Sequence, residues 1–100
     1  MRKMIALSVL LLIPATAYLA EFNGEDIDFI EFDCEAQSGD TDESYPGVVE
    51  FMGEEAMITL KDGDLIFITL YDKEITEWDY IAGKDEDDTE WILKIPDLKE

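Results

Sequence analysis

From residue 56 onward the chain changes character at every second position. Ala56, Ile58 and Leu60 alternate with Met57, Thr59 and Lys61, and beyond Asp62-Gly63 the set Ile66, Ile68 and Leu70 alternates with Leu65, Phe67, Thr69 and Tyr71. A period of two sends successive side chains to opposite faces of an extended strand, so these segments predict a β-hairpin. Its register depends on the turn. A two-residue Asp62-Gly63 turn pairs Leu60 with Leu65, whereas a three-residue Lys61-Asp62-Gly63 loop pairs Leu60 with Asp64. The longer loop is favoured, because a type I turn closed by a left-handed residue wants glycine at its third position. It also collects Ala56, Ile58, Ile66, Ile68 and Leu70 on one aliphatic face. The opposite face of 65–71 is apolar too, so that strand is expected to be central or covered on both sides.

The same period recurs on either side. Val48–Met52 precedes the hairpin, Ile75–Ala82 follows it, and Thr89–Ile95 ends the sheet at Pro96. Trp91, Leu93 and Ile95 share one face of the last strand, and Trp78 and Tyr80 are expected to pack across from Trp91. Residues 25–35 admit a helix capped by Asn23, but six acids without a base would place like charges at helical spacing. The alternation of Phe32 and Cys34 with Asp33 and Glu35 favours a strand, bulged near Phe29-Ile30 where the phase changes. Gln37–Gly47 and Lys84–Asp88 read as loops. The expected fold is all-β: a single small antiparallel meander of about six strands, either barrel or sandwich.

The first residues, MRKMIALSVLLLIPATAYLA, follow a different rule. Arg2 and Lys3 precede an apolar run, Pro14 breaks it, and Ala15-Thr16-Ala17 supplies small residues for cleavage. This is the layout of a secretory signal peptide over residues 1–17, with cleavage as late as residue 20 the alternative. An uncleaved anchor fits less well, since the uncharged run is at the lower limit for a bilayer span and carries a proline. The expected mature domain is 18–100, periplasmic or secreted, with no membrane insertion after cleavage.

Composition narrows the chemistry. The 100 residues hold 26 Asp plus Glu, 7 Lys plus Arg, no His and 1 Cys, a net charge of −19. Removing residues 1–17 takes Arg2 and Lys3 but no acid, which deepens the charge to −21. Such a chain is a poor ligand for nucleic-acid phosphates. Without histidine it cannot assemble a Ser–His–Asp triad, and with one cysteine it cannot close an internal disulfide. Cys34 is either buried as a small hydrophobe or available for an intermolecular bond. No catalytic constellation emerges from the carboxylates, so no enzyme activity and no tightly held cofactor are expected.

Two acidic stretches remain as candidates. Asp40, Asp42 and Ser44 place oxygens at alternate positions and suggest weak calcium binding, although the glycine and glutamate of an EF-hand loop are missing. Asp85, Glu86, Asp87 and Asp88 form the densest patch and are the expected landing site for a basic partner. The layout of a Cys-bearing strand followed by the hairpin Ala56–Gly63, over Phe32 to about Leu70, resembles the periplasmic inhibitors of C-type lysozyme. That resemblance implies a small exported β-barrel acting by binding. The family's Ser-Gly inhibitory loop should fall near Trp78–Lys84, where this chain reads WDYIAGK, so its inhibitory residues do not transfer. The function expected is a binding or inhibitory module for a basic exported protein or peptide. The alternative is a weak calcium-binding or structural envelope protein whose acidity reflects a saline habitat.

Overall fold

The computed structural model describes residues 19–99. The signal-peptide reading of 1–17 lies outside these residues. The described residues form nine strands: β1 (Glu21–Phe22), β2 (Glu25–Asp26), β3 (Glu31–Ser38), β4 (Ser44–Met52), β5 (Glu55–Leu60), β6 (Leu65–Leu70), β7 (Glu74–Ile75), β8 (Ile81–Asp85) and β9 (Glu90–Lys94). A 3-10 turn over Pro96–Leu98 follows. Six strands close a barrel in the order β3-β4-β5-β6-β8-β9, and β2-β1-β7 form a small separate sheet. The meander is therefore a barrel rather than a sandwich.

The hairpin has the three-residue loop. Ile58 pairs with Ile66 and Thr59 with Leu65. The Leu60 N–H donates to the Asp64 carbonyl at 2.8 Å, and Gly63 sits at φ +100°. Ala56, Ile58, Ile68 and Leu70 consequently face inward with Val49, Phe51 and Leu93, all buried. Each large side chain in this set contributes about 1.5–3 kcal/mol relative to exposure. Two inward-facing glycines let the strands close so tight a barrel. A Cβ on Gly47 would lie 2.6 Å from the Thr59 carbonyl oxygen, and one on Gly83 2.5 Å from that of Thr69.

The small sheet lies at one end of this barrel. Phe22, Ile27 and Ile75 are buried and continuous with its core. Asp28 fastens the sheet to the barrel: its carboxylate accepts from the Ala20 N–H at 2.8 Å and from the Gly53 N–H at 3.2 Å. Burial pushes the Asp28 carboxyl up from the ordinary range, and the two backbone donors restrain that rise.

Several expectations change. Residues 37–47 are not one loop: β3 runs to Ser38 and β4 starts at Ser44. Pro46 is tolerated because its carbonyl accepts from the Lys61 N–H, while its missing N–H falls at the very end of the β4–β5 ladder. The 25–35 segment is extended but is not one bulged strand, since Phe29 turns it with φ 62° between β2 and β3. The 75–82 strand breaks as well. Its start pairs in parallel with β1, and only Ile81 onward joins the barrel. Trp91 therefore meets Tyr45, with ring centroids 6.3 Å apart, rather than Trp78 or Tyr80. Finally, β6 is central in the barrel but its outer face is bare: Leu65 is 56% exposed and Phe67 54%. No helix among the described residues is long and apolar enough to cross a membrane.

Candidate functional site

An antiparallel meander sends alternate turns to opposite ends. The β3–β4, β5–β6 and β8–β9 turns therefore share the end away from the small sheet. Between them they carry Asp40, Asp42, Glu43, Asp62, Asp64 and the run Asp85–Asp88, against the bases Lys61 and Lys84. The two acidic stretches separated in sequence are in contact here. The Thr89 hydroxyl donates to Asp40 Oδ2 at 3.3 Å, and the Gly39 N–H donates to the Glu90 carbonyl at 2.8 Å.

The acids at this end are not equivalent. Asp85 is structural: its Oδ1 accepts from the Asp87 N–H at 2.9 Å and the Thr89 N–H at 3.0 Å. Its Oδ2 accepts from Trp91 Nε1 at 3.0 Å. Desolvation would raise this carboxyl, but the Trp91 donor and the two backbone donors outweigh it and hold Asp85 below the usual carboxylate range. The turn closes with Asp88 at φ 65°, and Glu86, Asp87 and Asp88 are left exposed. Asp85 thus ties the turn to Trp91, whose buried ring lies beside Tyr45 near this end of the core. The Tyr45 hydroxyl in turn donates to Glu43. A carboxylate with three donors is poorly placed to receive a partner's cation, whereas its three neighbours are free to do so.

Asp40 and Asp42 are exposed in the β3–β4 turn, and Ser44 opens β4, paired with Gln37. Among the described residues, no three Asp, Glu, Cys or His side chains are grouped so as to hold a metal ion. Cys34 faces the interior, and burial, with Asp33 and Glu35 nearby, pushes its thiol up to about 11. A buried thiol held in its protonated form is a weak nucleophile.

The sequence reading missed the outer face of β3 to β6. Register aligns Asp33, Val48, Thr59 and Leu65 in one row across the four strands, and Glu31, Glu50, Met57 and Phe67 in the next. A groove of about 520 Å³ opens over the β3–β5 part of this face, with Glu31, Asp33, Val48, Thr59 and Lys61 among its walls. Its signal in the sequence is the doubly apolar pattern of 65–71, which fits an open surface as well as a covered one. Comparison with protein-family models, with curated proteins and with solved structures finds no match to this chain.

Proposed function

We propose that this protein is an exported, non-enzymatic module that binds a basic protein or peptide. The observation that carries the reading is the gathering of three acidic turns at one end of the barrel, where the exposed Glu86, Asp87 and Asp88 stand beside the turn of Asp40 and Asp42. A net charge of −19 adds a long-range field that draws cations toward the molecule and accelerates encounter. Closely spaced carboxylates on short turns present that charge with little side-chain entropy to lose.

The test is a salt series with hen egg-white lysozyme as the basic probe. Binding is expected at 20 mM salt and should weaken steeply by 300 mM, because the screening length falls below about 10 Å over that range. The triple variant Glu86→Gln/Asp87→Asn/Asp88→Asn should bind more weakly at low salt. Absence of binding to lysozyme and to polylysine at low salt would reject the proposal. In that case a rise in melting temperature with millimolar calcium would support the alternative of a weak calcium-binding envelope protein.

A further inference from the structure

We infer that the outer face of β3–β6 is a docking surface for a cationic amphipathic peptide. This rests on the basic-partner reading above and adds to the acidic turns a second face, with its own class of ligand. The two cross-strand rows change chemistry from one side to the other. They begin with Glu31 and Asp33 on β3, continue through Glu50 and Val48 on β4, and end with the exposed Leu65 and Phe67 on β6. Strands sit about 4.8 Å apart, so the acidic and apolar margins are separated by about 14 Å. A helix with its side chains is about 10–12 Å across. One laid along the strands would set its apolar stripe on Met57, Leu65 and Phe67 and turn its lysine flank toward Glu31, Asp33 and Glu50. The groove over β3–β5 provides room for those basic side chains, with Lys61 the single base at its rim.

The same geometry disfavours a second copy as the occupant. A two-fold copy would set its Glu31, Asp33 and Glu50 either against the same acids or against Leu65 and Phe67, on a body whose net charge is already −19. A neutral apolar partner would leave the acidic margin unused. A peptide carrying both lysines and leucines matches both halves of the face at once.

The experiment compares two synthetic 18-residue peptides of equal charge, one with leucine and lysine in helical amphipathic order and one with glycine replacing every leucine. Binding to the full mature chain is measured by isothermal titration at 20 and 300 mM salt. The leucine–lysine peptide should bind at least about tenfold more tightly, and its binding should persist at the higher salt. Leu65→Ser/Phe67→Ser should abolish that difference while keeping the far-ultraviolet spectrum, and Leu65→Ser alone should reduce it. Tyr80→Ser, which alters an exposed aromatic outside this face, should not change it. Equal, salt-sensitive binding of both peptides would overturn the docking surface and leave the charge reading standing. Binding of neither peptide at low salt would overturn both. A dimeric protein made monomeric by Leu65→Ser/Phe67→Ser would overturn the assignment in favour of self-association.

Discussion

Replacing Asp85 by alanine removes the acceptor for three hydrogen bonds at once, from Asp87, Thr89 and Trp91. Hydrogen bonds to a charged acceptor contribute about 1.5–3 kcal/mol each when protected, but here the exposed Asp87 donor can find water after the change. The lasting loss is concentrated on the half-buried donors of Thr89 and Trp91. The expected destabilisation is about 2–3 kcal/mol, or a fall of roughly 10–15 °C in melting temperature for a domain of this size. Asp85→Asn discriminates further. Its remaining carbonyl can keep the Asp87 and Thr89 bonds, while its amide points a donor at Trp91 Nε1, so about 1–2 kcal/mol should be lost. Adding Trp91→Phe should then cost less in the Asp85→Asn background than in the wild type. The sign with pH follows from the lowered folded pKa. The contribution of Asp85 is fully present above the ordinary Asp value of about 3.9 and is lost as pH falls through the folded value. The gap between wild type and Asp85→Ala should therefore be constant at pH 6–8 and close in acid. Urea unfolding followed by far-ultraviolet circular dichroism measures all four variants. An Asp85→Ala protein within about 0.5 kcal/mol of wild type at neutral pH would refute this account of the turn.

Three further outcomes are expected. Gly83→Ala would force a Cβ to 2.5 Å from the Thr69 carbonyl oxygen at the β6–β8 seam; a loss of about 3 kcal/mol or more should appear in denaturant unfolding, and a wild-type midpoint would refute the close-approach argument. Cys34, buried with its thiol pushed up to about 11, should resist Ellman's reagent at pH 8 in the native protein and react fully once unfolded in guanidinium; rapid native labelling would contradict its inward placement. Raising salt from 0.01 to 1 M shrinks the screening length from about 30 to 3 Å, so the melting temperature should rise by at least about 5 °C if repulsion among the acids opposes folding; an unchanged value would show that the carboxylates are spaced widely enough not to interact.

The fold was most legible where local chemistry and alternation agreed. Gly63 and the 56–71 pattern specified turn, register and inward face together, and that hairpin stands as read. Legibility failed where a residue's partner was distant in sequence. Ile75 pairs beside Phe22, and nothing local says that the chain leaves the barrel there. Pro46 and Gly47 look like loop residues, yet one lies at a ladder end and the other fits where a Cβ would strike the neighbouring backbone. The acidic run Asp85–Asp88 is visible in the sequence as a candidate site, but its internal division is not. Asp85 is distinguished from Glu86 by Trp91, a contact created by the turn itself. Alternation also cannot tell a covered apolar face from an open one, and Leu65 and Phe67 lie on the open kind.

The pairing of β3 with β9 bears on how the molecule can be made. Gln37 lies opposite Ile92 and Ser38 opposite Trp91, so the first barrel strand waits for the last. Local hairpins among β4, β5 and β6 close short loops and can form early, whereas the final ladder must bring together segments more than fifty residues apart. A chain emerging from its N-terminus therefore cannot complete this barrel stepwise. Until residue 94 is free, β3 keeps an open edge, and the acids along it are its guard against pairing with another chain.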